Sequence, residues 1–139
     1  MINLCVRTEF SFRFAYGKVD EILEQNQTEY STMTDRFNTF GHIPFWKKSR
    51  KANKKVILGV ELAFVSDATM KTRQNPSFVN LIAKNQDGLS KIYDLVSKST
   101  TQKYYFNRLS AEELLTINDD KPHVALLSTS NYELRSSTP

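Results

Sequence analysis

The chain has 139 residues, of which 40% are hydrophobic and 12% aromatic, so one domain with a packed core is expected. Its net charge of +4 permits a nucleic-acid partner without requiring one. A single cysteine excludes an internal disulfide and any multi-cysteine zinc motif, and no apolar run is long enough to span a membrane. Because the N-terminus lacks a signal-peptide pattern, we expect a cytoplasmic protein.

The first predicted element is a β-strand over residues 2–7, where apolar and polar side chains alternate. Cys5 and Arg7 lie two residues apart, so both side chains leave this strand on the same side. A thiol can bind a metal, but a guanidinium group has no free lone pair and does not deprotonate. The pair is therefore an unusual one for a metal site.

Helical and strand patterns then alternate along the chain. Strands are predicted over residues 30–34, 56–60, 78–83 and 123–128. Helices are predicted over residues 18–27 and 43–52, after residue 88, and from residue 111, where Ser110 and Glu113 have capping-box spacing. This alternation predicts an α/β fold with a mainly parallel sheet. We expect one domain over residues 1–129 and a disordered tail over residues 130–139.

Polar side chains stand at the predicted carboxyl ends of several strands. They are Arg7, Asp35, Glu61 and residues 128–130. In parallel α/β folds, binding and catalytic groups gather at these ends. The positions alone therefore predict a shared cleft.

Six segments in a fixed order match a known pattern. They are LCVRTEFS (4–11), KVDEI (18–22), TDRFNTFG (34–41), ILGVE (57–61), LIAKNQDGLSKI (81–92) and VALLSTS (124–130). Together they resemble the PHP (polymerase and histidinol phosphatase) domain at the N-terminus of the bacterial DNA polymerase III alpha subunit, a C-family polymerase. The resemblance implies a partial, distorted (β/α)7 barrel that covers about the first half of such a domain and is open where the chain stops.

The resemblance also implies where metal ligands would stand. The family's ligand positions fall on Cys5, Arg7, Phe14, Arg36, Glu61 and Ser130. Only Glu61 keeps a residue type typical of the family, and Asp35 is retained beside a lost ligand. We therefore expect no catalytic residue, no metal and no other cofactor. Our hypothesis is that Arg7 and Arg36 pair with Glu61, near Asp35, and replace the metals electrostatically. The alternative is that both arginines point to water.

Other features have two interpretations each. Lys47, Lys48, Arg50 and Lys51 are candidates for phosphate contacts, although a solvated helix face is the simpler interpretation. The phenylalanines at positions 10, 12, 14, 37 and 40 would stack bases or, more simply, fill the space left by lost metals.

Cys5 is expected to be a small, buried strand residue rather than a nucleophile or a ligand. His42 and His123 have no partner at metal-site spacing, and surface or helix-cap positions are expected for both.

We interpret the chain as a non-catalytic PHP-like domain with a structural or interaction role in DNA replication. The resemblance implies partners in the rest of a DNA polymerase alpha subunit or in replisome proteins, with DNA contacted through the parent polymerase and no membrane. The parent family is a nucleotidyltransferase whose active-site carboxylates lie in other domains. The alternatives are a metal-dependent phosphoesterase with a rebuilt site and a small stand-alone protein that binds the replication machinery. An incomplete barrel also predicts self-association through open strand edges.

Overall fold

A computed structural model describes residues 1–128, which form four helices and five strands. In chain order the elements are α1 (Val19–Gln25), β1 (Tyr30–Arg36), α2 (His42–Lys51), β2 (Lys55–Val65), β3 (Ser77–Ala83), α3 (Gln86–Thr101), β4 (Leu109–Ser110), α4 (Ala111–Leu115) and β5 (Val124–Ser128). The helices and strands predicted after residue 17 are confirmed, with shifted boundaries. The predicted tail over residues 130–139 lies outside the described residues.

The sheet is mixed, so the expectation of mainly parallel pairing was wrong. The strand order is β1-β2-β3-β5, and β4 pairs with the end of β2. Strands β1 and β4 pair with β2 in parallel, whereas the pairings of β2 with β3 and of β3 with β5 are antiparallel. A parallel connection needs a crossover that carries the chain back along the sheet. The segment between β2 and β3, residues 66–76, contains no helix, so β3 returns in the opposite direction.

The helices pack on one face of this sheet. Leu62 from β2, Leu81 from β3 and Ile92 from α3 belong to one buried cluster, and Met33 from β1 and Phe45 from α2 belong to a second. A side chain such as Ile92, with no exposed surface, stabilises the fold by about 2 kcal/mol through burial. Successive strand residues point to opposite faces, so Glu61, between two core residues of β2, faces away from the helices.

The predicted first strand was wrong. Residues 1–8 form no strand, and the side chains of Ile2 and Leu4 are 41% and 37% exposed. The backbone of this segment bonds to the backbone of β1 only at Val6, whose carbonyl oxygen accepts a hydrogen bond from the Thr34 N–H at 2.8 Å. Alternation makes a strand possible, but a strand also needs a neighbour along its length. Here the segment meets β1 only near that strand's carboxyl end.

A buried arginine holds the segment between β2 and β3. Arg108 is 1% exposed, and its guanidinium group donates hydrogen bonds to the carbonyl oxygens of Ala68, Met70 and Thr72 at 2.7–3.3 Å. The guanidinium also lies over the ring of Tyr104, at 5.1 Å. Backbone carbonyls thus satisfy the two terminal nitrogens of a charged group that is rarely buried, whereas its Nε has no hydrogen-bond partner among the described residues.

The described part of the sheet is open, with β1 and β5 at its two edges. Leu126 and Leu127 of β5 are 41% and 37% exposed, as expected for an apolar edge strand that no residue within 1–128 covers. The expected open sheet is therefore confirmed, whereas the partial barrel remains a prediction. None of the helices within residues 1–128 has the length and apolar character needed to cross a membrane.

Candidate functional site

The candidate site lies on the face of the sheet opposite the helices. Arg36, the last residue of β1, is paired in register with Glu61 of β2, and Glu61 is paired on its other side with Asn80 of β3. Paired residues on neighbouring strands project from the same face of a sheet. Arg7 reaches this row from the segment that precedes α1.

Glu61 is the centre of the site. Its side chain has no exposed surface, and each of its two carboxylate oxygens accepts a hydrogen bond from an arginine. The Arg7 Nη2 donates to Oε2 at 2.7 Å, and the Arg36 Nε donates to Oε1. A buried carboxylate needs such partners because its desolvation is otherwise costly. The predicted pairing of Arg7 and Arg36 with Glu61 is therefore observed.

Aromatic rings enclose Arg36. Its guanidinium carbon lies 4.3 Å from the ring centre of Phe14 and 4.2 Å from that of Phe78. Phe37 packs against both of these rings, with centroid distances of 6.2 Å. The rings cover part of the Arg36 side chain, which is 15% exposed, and attract the guanidinium through their electron-rich faces. Phe14, where the resemblance implies a metal-ligand position, thus contacts an arginine.

Asp35 lies next to the cluster but has other partners. It is fully buried, and its Oδ1 accepts hydrogen bonds from the Thr8 N–H at 2.5 Å and from the Ser11 hydroxyl at 2.6 Å. Its Oδ2 accepts from the Thr8 hydroxyl at 2.7 Å. These bonds fasten the turn that follows Arg7 to the end of β1. They therefore help to position Arg7 beside Glu61.

Sequence reasoning missed three polar residues of this region. Thr8 and Ser11 are fully buried, and their hydroxyl groups satisfy Asp35. Asn80 is 1% exposed beside Glu61, and its Oδ1 has no hydrogen-bond partner among the described residues. Thr8 and Ser11 lie in one of the six matching segments, LCVRTEFS, which was a usable signal, whereas the position of Asn80 depends on the strand register.

Cys5 does not join the cluster. It lies in the segment before β1 that forms no strand, and its side chain is exposed. The expectation that Cys5 is buried was wrong, because it depended on the predicted strand. Ser130, the remaining position at which the resemblance implies a metal ligand, lies outside the described residues.

The expectation of a surface or cap role was also wrong for His42. This residue begins α2 but is 1% exposed, with ring nitrogens 2.9 Å from the Gly59 carbonyl oxygen and 3.0 Å from the Tyr93 hydroxyl oxygen. Burial lowers the pKa of His42, although the bond to Gly59 and the charge of Asp35 act in the opposite direction. In the neutral ring, Nε2–H donates to the carbonyl and Nδ1 accepts from the hydroxyl.

The five phenylalanines do not act together. Phe14 and Phe37 surround Arg36, and Phe10 packs with the core cluster of α1 and α2. Phe12 and Phe40 are 59% and 68% exposed and contact each other with a centroid distance of 6.3 Å. The expectation that all five fill space at the former metal site was therefore wrong for Phe10, Phe12 and Phe40.

The predicted phosphate-binding residues lie on α2, away from Glu61. Lys47, Lys48, Arg50 and Lys51 are all exposed. Lys48 Nζ pairs with the Asp20 carboxylate at 2.8 Å, and the Arg50 guanidinium stacks over Trp46 at 5.0 Å. This arrangement is that of a solvated helix face, and contact with phosphate remains a prediction.

Comparison with known proteins identifies the relatives of this chain. A protein-family model described as "PHP domain" matches residues 3–134. The chain is 26% identical over 122 residues to a DNA polymerase III subunit alpha from Borreliella burgdorferi and 29% identical over 119 residues to one from Helicobacter pylori. Each alignment includes 81% of this chain, but only 11% and 10% of the respective relative.

A third relative, the DNA polymerase III subunit alpha of Buchnera aphidicola, is 23% identical over 130 residues, which include 91% of this chain and 11% of the relative. The chain thus spans about a tenth of the length of the curated relatives it matches. The family model, in contrast, covers nearly all of it. The resemblance inferred from the six segments is confirmed, and the chain belongs to the PHP domain family.

Proposed function

We propose that this chain is a non-catalytic PHP domain with a structural or interaction role in a replicative polymerase of the DNA polymerase III alpha type. One observation carries the proposal: Arg7 and Arg36 each donate a hydrogen bond to the carboxylate of Glu61. In this proposal the two guanidinium groups hold together the part of the fold that metal ions hold in catalytic relatives.

The donor groups near Glu61 support the proposal because they do not fit a metal centre. Metal-assisted phosphoester hydrolysis needs several carboxylates or imidazoles that converge on one point. Both oxygens of Glu61 are occupied by arginines, both oxygens of Asp35 accept from Thr8 and Ser11, and Cys5 is exposed. Within residues 1–128, no three His, Cys, Asp or Glu side chains are grouped so as to hold a metal ion.

Electrostatics support it further. Two guanidinium charges at this position repel a divalent cation, because like charges at contact distance interact unfavourably even when partly screened. The same charges stabilise a buried carboxylate. The cluster therefore favours an ion pair over a metal ion at Glu61.

The names of the relatives indicate the setting in which the domain would work. All three are DNA polymerase III alpha subunits, so we propose that this chain acts with the rest of such a polymerase or with replisome proteins in the cytoplasm. DNA would be contacted through that polymerase. Leu126 and Leu127, exposed on the edge strand β5, would suit coverage by further protein, including a second copy of the chain.

Metal analysis of the purified protein, together with hydrolysis assays, tests the proposal. We expect far less than one equivalent of metal per chain, and no turnover of a phosphodiester or of pyrophosphate with Mg²⁺, Mn²⁺ or Zn²⁺. Stoichiometric metal with metal-dependent turnover would overturn the proposal in favour of a phosphoesterase with a rebuilt site.

The variant Glu61→Gln provides a matched control. It keeps the shape of the side chain but removes the charge that either arginines or a metal would need. If Glu61 pairs with arginines, the variant loses stability equally with and without added metal. If Glu61 is a metal ligand, the variant loses bound metal and catalytic turnover together.

A further inference from the structure

An open groove of about 690 Å³ lies between α2 and α3, on the face of the sheet opposite Glu61. Val56 and Leu58 of β2 form its floor, and Leu89 of α3 forms part of one wall. From α2, Ile43 and Trp46 line the other wall while being 61% and 41% exposed. Two large apolar side chains one helical turn apart, beside an apolar floor, are typical of a surface that binds another molecule.

The rim of this groove is positively charged. Arg50, Lys54 and Lys84 line it, and no carboxylate does so among the described residues. Arg50 stacks on Trp46, and Lys54 Nζ donates to two backbone carbonyl oxygens, so neither charge is neutralised by an acidic side chain in the described part. Lys48, which does not line the groove, is in contrast paired with Asp20. The groove therefore attracts negatively charged partners.

The polar groups of the floor are already satisfied. The ring of His42 contacts the Gly59 carbonyl and the Tyr93 hydroxyl, which leaves no free ring N–H donor to read a base edge. One face of Trp46 is covered by Arg50, which reduces the surface on which a base would stack. The aliphatic floor is instead suited to aliphatic side chains. These features favour a protein segment over a nucleic acid.

We propose that this groove binds an acidic, amphipathic protein segment. Apolar side chains of the segment enter between Ile43, Trp46 and Leu89, and its Asp and Glu side chains contact Arg50 and Lys84 on the rim. A helix that presents apolar residues at intervals of three and four satisfies both requirements. The groove and Glu61 lie on opposite faces of the sheet. This inference therefore does not depend on whether Glu61 pairs with arginines or binds a metal ion.

Trp46 makes the groove directly observable, because it is the single tryptophan of the chain. A displayed library of random peptides is selected on the immobilised full-length protein, and the enriched peptides are synthesised and titrated while Trp46 fluorescence is recorded. We expect enriched sequences with excess Asp and Glu and helically spaced apolar residues. Their binding should shift the Trp46 emission and weaken as salt is raised.

Two matched variants locate the binding. The charge reversal Arg50→Glu/Lys84→Glu should lower the affinity for the selected peptides by about tenfold or more, because the rim charges would then repel the acidic peptides. The control Lys47→Glu/Lys71→Glu makes the same change in net charge at exposed lysines outside the groove and should leave affinity within about twofold.

Four results would overturn the proposal. They are the absence of any enriched peptide that changes Trp46 fluorescence, enrichment without an acidic excess, equal weakening by both double variants, and tighter binding of an oligo(dT) strand than of the best peptide at the same salt. The last result would identify a nucleic-acid groove. The variant Ile43→Asp places a charge at an exposed apolar position of α2. Loss of peptide binding by this variant would show that apolar contacts in the groove contribute to binding, which supports the proposal.

Discussion

Removal of Arg36 gives the sharpest test of the cluster around Glu61. The side chain of Glu61 has no exposed surface and that of Arg36 is 15% exposed, so the pair is largely shielded from solvent. Loss of one partner of a buried ion pair destabilises a protein by about 3–5 kcal/mol, because the other charge stays buried and unpaired. Arg7 still compensates one oxygen of Glu61, so we expect Arg36→Met to lower the free energy of unfolding by about 3 kcal/mol.

Arg7→Met should lower the free energy of unfolding by less, about 1–2 kcal/mol, since the Arg7 side chain is 30% exposed and water screens its charge. Replacement of the whole cluster by Arg7→Met/Arg36→Met/Glu61→Leu removes the buried charges together. Apolar replacements of buried ion clusters are often neutral or stabilising. We expect the free energy of unfolding of this triple variant to lie within about 1 kcal/mol of that of the original chain.

Urea unfolding followed by circular dichroism, with linear extrapolation to zero denaturant, measures each free energy. Arg73→Met, at an exposed arginine between β2 and β3, is the matched control and should change stability by less than about 0.5 kcal/mol. If Arg36→Met is no more destabilising than this control, Arg36 does not stabilise Glu61 and our account of the site is wrong. A triple variant as unstable as Arg36→Met would contradict the electrostatic explanation, because packing would then dominate.

Three further changes test the fold around the site. Burial lowers the pKa of His42, so folding disfavours its protonation. The contribution of neutral His42 to the free energy of unfolding should be fully present above the unfolded-state pKa of about 6.5 and should be lost as the pH falls below it. Urea unfolding at a series of pH values should show a smaller loss for His42→Gln. Gly59→Ala would place a methyl group 2.3 Å from the backbone oxygen of Leu81, so we expect a loss of at least about 2 kcal/mol in thermal unfolding, and an unchanged melting temperature would contradict the packing described here. Arg108→Met leaves three carbonyls without their donor and should speed hydrogen exchange in residues 66–76, whereas unchanged protection would show that Arg108 does not hold this segment.

Local patterns predicted most of the elements, and the six matching segments predicted the family. The apolar spacing of α3 and the capping box at Ser110, where the backbone N–H donates to the Glu113 carboxylate at 3.0 Å, are signals contained within a few residues. The approach of Arg36 to Glu61 could also be predicted, because the resemblance implies metal-ligand positions at both residues, and ligands of one metal site lie close together.

Other features depend on parts of the chain that are distant in sequence. Residues 2–7 alternate like a strand, but only the folded chain shows that β1 offers them one backbone contact near Val6. The antiparallel direction of β3 follows from the connection before it, because residues 66–76 contain no helix that would carry the chain back along the sheet. Arg108 has the sequence character of a surface residue, and its burial follows from three carbonyl oxygens that residues 66–76 bring together.

The contacts of Glu61 also bear on the order of events in folding. Arg7 and Glu61 are 54 residues apart in sequence, and Arg36 and Glu61 are 25 apart. Contacts that close such long loops form after local helices and turns, since the chain entropy must be lost first. The arginine bonds should therefore be largely absent from the transition state, so their removal would accelerate unfolding and leave the refolding rate nearly unchanged. In that case the cluster lengthens the lifetime of the folded chain rather than directing how it forms.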